Sequence, residues 1–109
     1  MEENIGAFVC DEGVFNRILR LEKRRGDHFL FIAISFENIP EETIFKSIFE
    51  DLIHLLRTKD VISKTLNNQI LLLLNNASIN FGEDIINRLK ELFKENYPDL
   101  KPIFSLKKF

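Results

Sequence analysis

The chain has 109 residues, which is enough for one domain with a single core and leaves little room for a second. Its formal net charge is −2, from 15 basic and 17 acidic residues that are intermixed, so it lacks the basic surface of a nucleic-acid-binding or membrane-anchored protein. Cys10 is the only cysteine, and the N-terminus lacks the basic region and long apolar core of a signal peptide. A soluble, cytoplasmic protein is expected.

The first half of the chain predicts one helix followed by one strand. Residues 1–11 show no period and are either a tail or a short packed strand. Residues 12–25 carry apolar side chains at helical spacing, and Gly26 follows as a stop signal. Residues 28–36 are almost wholly apolar and too short for a typical buried helix, which indicates a central strand.

The second half predicts a helix, a β-hairpin, another helix and a last strand. The first of these helices starts where Pro40 precedes two glutamates, a favourable helix N-terminus. The hairpin turn contains two asparagines, which suit a tight connection between strands. The predicted ranges are about 41–57 and 81–96 for the helices, 60–65 and 69–74 for the hairpin strands, and 102–108 for the last strand.

This order predicts an α+β domain over residues 1–109, with a ferredoxin-like βαββαβ antiparallel sheet and an extra N-terminal helix. The strands at 28–36 and 69–74 do not alternate apolar and polar residues, so both faces of the sheet centre must be covered. Two helices can cover one face, and the N-terminal helix or another protein must cover the other. We therefore predict a homodimer or a protein partner whose contact includes phenylalanines of the N-terminal half.

Short motifs within this pattern indicate a resemblance to a known protein family. A helix carrying Glu22-x-x-Arg25 leads into the apolar strand, and a later helix ends in an R-x-x-D motif formed by Arg57 and Asp60. The predicted hairpin and the five aliphatic residues 70–74 follow. Over roughly residues 12–108 this combination resembles the GGDEF, or diguanylate cyclase, family. The resemblance implies a nucleotide-cyclase-like fold and a role in bacterial signalling.

The hairpin departs from the family at the signature itself. Leu66, Asn67, Asn68, Gln69 and Ile70 stand where the family has two glycines, two acidic residues and a phenylalanine. The resemblance implies that the glycines let the backbone approach the nucleotide and that the acidic residues serve metal binding and catalysis. Neutral amides cannot supply the anionic charge that holds a divalent cation near a triphosphate.

Two further departures concern metal and substrate. Ser35 aligns with the family's metal-binding aspartate at the end of the first strand, and Glu37 could not rebuild a two-carboxylate site alone. Only about four residues separate Phe36 from the next helix, so the segment that contacts guanine and phosphate in active members is absent. The sequence therefore predicts that the protein is not an enzyme and uses no metal or other cofactor.

The R-x-x-D motif survives and leaves two interpretations open. By resemblance, Arg57 and Asp60 form an inhibitory site that binds cyclic di-GMP, and the chain would then be a receptor for that nucleotide. The alternative is structural: Arg57 stabilises a helix C-terminus and Asp60 makes a local turn hydrogen bond. The structural interpretation is favoured, and the leading hypothesis is a non-catalytic regulatory or protein-interaction domain.

The remaining candidates for chemistry are isolated residues. His28 and His54 have no further ligand at zinc spacing, and the four glycines are too scattered for a phosphate-binding loop. Cys10 has no flanking base and is expected to be a small buried apolar residue.

Overall fold

The computed structural model describes residues 7–26, 28–65 and 67–109. These residues form a mixed five-stranded sheet and three helices. In chain order the elements are β1 Phe8–Cys10, α1 Glu12–Arg25, β2 Phe29–Phe36, α2 Glu42–Leu55, β3 Val61–Lys64, β4 Ile70–Asn75, α3 Ile79–Asn96 and β5 Pro102–Lys108. Among the described residues, no helix combines the length and the apolar character needed to cross a membrane.

The bounds of α1 follow from its two caps. The Asp11 side chain accepts a hydrogen bond from the Val14 backbone N–H at 2.8 Å, which satisfies one of the free donors of the first turn. Gly26 ends the helix in the left-handed conformation, with φ of 76°, and its N–H lies 3.2 Å from the Glu22 carbonyl oxygen. The helix predicted over residues 12–25 has these bounds.

The other two helices differ from their predicted ranges at one end each. Helix α3 begins at Ile79 rather than near residue 81, because the Ser78 hydroxyl accepts a hydrogen bond from the Phe81 N–H at 3.2 Å. Helix α2 ends at Leu55 rather than near residue 57, because Leu56 adopts an extended backbone that starts the connection to β3.

The strand order in the sheet is β1-β3-β4-β2-β5. Three of the four pairs are antiparallel, whereas β1 pairs with β3 in parallel, through the register Phe8 with Val61 and Cys10 with Ser63. The prediction of a wholly antiparallel sheet is therefore wrong at one edge. Of the segment predicted as a tail or short strand, residues 8–10 are a strand and residues 1–6 lie outside the described residues.

Helices cover both faces of the sheet. Helices α2 and α3 pack against the larger apolar cluster, and α1 packs against the second one, where Phe15 lies 6.0 Å from Phe31 between ring centroids. The neighbours Leu72 and Leu73 point to opposite faces and are both fully buried, which explains why the central strands do not alternate. Helix α1 thus covers the second face of the sheet. The homodimer or protein partner stays a prediction, and the phenylalanine most available for such a contact is Phe8, which is 54% exposed at the β1 edge.

Close packing of α3 on the sheet depends on Gly82. A Cβ atom at this position would lie 2.5 Å from Leu30 Cδ1 and 3.3 Å from Leu106 Cδ1. Leu30 is fully buried, so its side chain has little room to withdraw. The absence of a side chain at Gly82 therefore sets the distance between the helix and strands β2 and β5.

Candidate functional site

The predicted site residues lie at the two opposite ends of the sheet. Strands β3 and β4 meet at one end of the sheet, which we call the hairpin end; Thr65 and residues 67–69 are the described residues between them. Ile34 and Ile70 form the last registered pair of β2 with β4, so Ser35 and Gln69 follow one step beyond it at this end. The structure thus brings the predicted metal position and the signature segment to the same end of the sheet, while Leu66 lies outside the described residues.

Thr65 holds the hairpin turn. Its backbone N–H donates to the Gln69 carbonyl oxygen at 2.9 Å, and its hydroxyl accepts from the N–H groups of Asn67 and Gln69, both at 3.2 Å. Asn68 takes the left-handed conformation at φ of 61°, which asparagine adopts more readily than most other residues. A buried hydroxyl and an asparagine therefore support the backbone shape in this turn.

Ser35 and the described signature positions 67–69 have neutral hydroxyl and amide side chains, whereas Lys64 at the end of β3 is charged. Asn67 is exposed, Asn68 and Gln69 are half-buried, and Ile70 is a core residue with no exposed surface. Ser35 is half-buried on β2. These groups can accept and donate hydrogen bonds, but they carry no anionic charge for a hard divalent cation.

The connection after β2 is short and contains two glutamates, Glu37 and Glu41. It consists of residues 37–41, and the Glu37 backbone N–H donates to the Lys101 carbonyl oxygen at 3.0 Å. Over residues 7–26, 28–65 and 67–109, no three or more histidine, cysteine, aspartate or glutamate side chains are grouped to hold a metal ion.

Arg57 and Asp60 lie at the other end of the sheet and bind each other. The Asp60 carboxylate accepts from the Arg57 backbone N–H and Nε, both at 2.9 Å, and from its Nη2 at 2.8 Å. The Asp60 side chain is fully buried, whereas the Arg57 side chain is 32% exposed. This bidentate, charge-assisted pair closes the connection between α2 and β3.

Asn75 and Phe81 extend this pair into a cluster, which we call the Arg57 clip; it consists of Arg57, Lys59, Asp60, Asn75 and Phe81. The Asn75 N–H donates to Asp60 Oδ1 at 3.3 Å, its carbonyl oxygen accepts from Arg57 Nη2 at 3.0 Å, and its side-chain amide donates to the Lys59 carbonyl oxygen at 2.7 Å. The Arg57 guanidinium lies 4.3 Å from the centre of the Phe81 ring. The clip therefore ties the end of β4 and the start of α3 to the connection before β3.

An open cavity of about 540 Å³ lies beside the clip and shares Asn75 with it. Glu22 and Arg25, the pair noted in the sequence, line the cavity together with His28. Arg25 Nη1 lies 3.4 Å from Glu22 Oε2, and the Arg25 side chain is 66% exposed, so this is a surface ion pair at the rim of the cavity. The sequence gives no signal for the cavity, because its walls come from two distant parts of the chain, around residues 22–28 and 75–76, that only the fold brings together.

The remaining candidate residues for chemistry are Cys10 and the two histidines. Cys10 is half-buried on β1, and burial, followed by the charge of Asp11, raises the pKa of its thiol. His54 lies in the last turn of α2, far along the chain from His28 at the start of β2. Neither histidine belongs to a group of potential metal ligands within the part of the chain that the structure describes.

Comparison with solved structures places the fold. The structure of the diguanylate cyclase SiaD in complex with its activator SiaC, from Pseudomonas aeruginosa, matches 91% of this chain with a TM-score of 0.62. The chain is GGDEF-like in fold. The identity is 12%, and the match spans 46% of the SiaD chain, so this chain corresponds to less than half of that protein. No model of a known protein family and no curated protein matches the sequence.

Proposed function

We propose that this chain is a GGDEF-like signalling domain that makes no cyclic di-GMP and acts through contact with another protein. The observation that carries the proposal is the hairpin end, where Ser35, Asn67, Asn68 and Gln69 place neutral side chains at the positions that are acidic or glycine in the family. Neutral side chains supply no anionic protein ligand to hold a divalent cation beside a triphosphate.

The architecture around this end supports the same proposal. Strands β5, β2, β4 and β3 lie side by side and antiparallel, which supports the ferredoxin-like arrangement expected of a cyclase-like domain. Residues 37–41 are all that connects β2 to α2, which leaves no segment to enclose a guanine base. A cyclase-like scaffold with a short connection after β2 supports the proposal of a domain that does not bind GTP.

The Arg57 clip favours a structural role for the R-x-x-D motif over a ligand site. A ligand that approached Asp60 would have to displace the Arg57 guanidinium and the Asn75 N–H from a carboxylate with no exposed surface. Arg57 is already engaged on both sides, by Asp60 and by the Phe81 ring. Both charges are used within the fold, so neither is poised for cyclic di-GMP.

A protein partner is the remaining mode of action. The matching structure is that of SiaD in complex with its activator, so a chain that contains this fold over about half its length is found with a protein partner. In the present chain, Phe8 and Val9 are about half exposed at the β1 edge, and Ile103 is similarly exposed on β5. Such apolar groups at sheet edges suit contact with another chain.

A cyclase assay tests the proposal directly. The protein is incubated with GTP and Mg²⁺ beside an active diguanylate cyclase as positive control, and the products are separated by chromatography. We expect no cyclic di-GMP above the amount seen without protein. Mg²⁺-dependent product that grows with protein concentration would show that the neutral hairpin end supports catalysis after all.

A further inference from the structure

Strand β5 presents free backbone groups along the edge of the sheet. It is the terminal strand, and no strand of the described chain lies on its outer side. The Phe109 N–H donates to the Phe29 carbonyl oxygen at 3.0 Å, which fixes the odd-numbered residues of β5 as those that face β2. The N–H and C=O groups of Phe104, Leu106 and Lys108 therefore point outward.

An apolar pocket lies directly beside this edge. It has a volume of about 280 Å³ between α3 and β5. The ring of Phe104 forms part of its wall and contacts Phe93, with 6.3 Å between ring centroids. Its other lining residues are Pro98, Leu100 and Pro102, together with Lys90 and Lys94. The pocket could hold one apolar side chain of a segment that runs along β5.

The charge around the pocket is one-sided. Lys90 and Lys94 are exposed and one helical turn apart, and no carboxylate lines the pocket, although the chain as a whole has a net charge of −2. Lys107 and Lys108 add positive charge further along β5, and Asp99 is the one acidic residue of the loop before the strand. A complementary partner therefore carries negative charge.

We propose that the outer edge of β5 and this pocket form the docking site for an extended, acidic segment of a partner protein. The segment adds to the sheet as a sixth strand through the outward backbone groups of Phe104 and Leu106. It places one aromatic or aliphatic side chain in the pocket and its carboxylates near Lys90 and Lys94. The inference relies on the proposed function only in expecting a protein partner.

The same charges argue against two other occupants. A second copy paired through β5 would present a strand whose only charged residues are Lys107 and Lys108, so it would bring no carboxylate to Lys90 and Lys94. A nucleic acid could contact the lysines, but its sugar–phosphate backbone cannot continue the regular ladder of strand hydrogen bonds. An acidic peptide satisfies the lysines, the free backbone groups and the pocket together.

Nuclear magnetic resonance with a defined probe tests the proposal. The probe is a synthetic peptide of about eight residues that alternates glutamate with valine and has one central phenylalanine, a length typical of a strand. We expect it to shift the amide signals of Phe104 and Leu106 and to slow their exchange with solvent. The double variant K90E/K94E should weaken binding by about tenfold or more, and added salt should weaken it in the wild type.

Three controls make the outcome decisive. The matched variant Lys46→Glu changes an exposed lysine on α2 and should leave binding unchanged. A peptide with lysine in place of glutamate should not bind. Amide shifts away from β5, equal binding of the two peptides, or no effect of K90E/K94E would each overturn the proposal, as would a single-stranded oligonucleotide that shifts the same signals more strongly. None of these results depends on the cyclase assay, so failure of the β5 docking site can be distinguished from failure of the proposed function.

Discussion

The sheet has two ends at which side chains hold a loop in place, and the two ends use different chemistry. At the clip, two opposite charges meet around a fully buried carboxylate and draw in the backbone of Asn75. At the hairpin, the neutral hydroxyl of Thr65 accepts two backbone N–H groups. The comparison shows that the R-x-x-D residues have a structural use in the fold, while the hairpin forms without the glycines and acids of the family signature.

The largest effect is expected from removing the carboxylate of the clip. Asp60→Ala leaves the Arg57 guanidinium and the Asn75 N–H without their acceptor, so we expect a loss of about 2–4 kcal/mol in the free energy of unfolding. The range lies below that of a wholly buried pair because the Arg57 side chain is 32% exposed. Urea denaturation followed by circular dichroism measures it.

The matched control for Asp60 is an exposed ion pair of the same type. Arg88 and Asp84 lie 3.3 Å apart on α3, and both side chains are more than half exposed. Asp84→Ala should therefore change the free energy of unfolding by no more than about 0.5 kcal/mol. Equal losses in Asp60→Ala and Asp84→Ala would mean that the clip contributes no more than an ordinary surface pair.

A smaller effect is expected at the hairpin end. Thr65→Val keeps the shape of the side chain and removes the hydroxyl that accepts from Asn67 and Gln69, so we expect a loss of about 1–2 kcal/mol in the free energy of unfolding. Thr65→Ser keeps the hydroxyl and serves as the control, with a smaller loss. If Thr65→Ser were as destabilising as Thr65→Val, packing of the methyl group rather than hydrogen bonding would hold the turn.

The smallest expected effect is that of cyclic di-GMP on the protein. Because Asp60 is buried and fully engaged by Arg57, we expect no heat of binding in a calorimetric titration. Micromolar binding that disappears in Arg57→Ala and persists in the control Arg88→Ala would contradict the structural role. In that case the clip would have to open in solution to admit the nucleotide.

The features that could be predicted from the sequence, helix α1 and the two central strands, depend on residues that are close together in the chain. Helix α1 is bounded by Asp11 and Gly26, whose capping roles depend on neighbours within a few positions. The apolar runs of β2 and β4 marked central strands because burial on both faces suppresses alternation. The start of α3 at Ile79 could also have been predicted from the sequence, since serine at position 78 is a favourable N-cap.

What the sequence did not predict depends on contacts between distant segments. Strand β1 has three residues and no period of its own, and it is a strand because it pairs with β3 far along the chain. The R-x-x-D motif suggested both a ligand site and a local turn, but nothing near it in the sequence indicates that Asn75 and Phe81 complete the cluster. The hydrogen bonds that the Thr65 hydroxyl accepts in the hairpin were not predicted.

Gly82 connects helix packing to the Arg57 clip. Glycine lowers the intrinsic stability of a helix by about 1 kcal/mol relative to alanine, yet here it lets α3 approach Leu30 more closely than any larger residue could. The next residue toward the N-terminus is Phe81, whose ring lies against the Arg57 guanidinium. An added methyl group at Gly82 would thus push α3 away from the sheet. The shift of the helix would move Phe81 and so disturb the Arg57–Asp60 pair. A substitution at Gly82 is therefore expected to disturb the salt bridge of the Arg57 clip as well as the core beneath the helix.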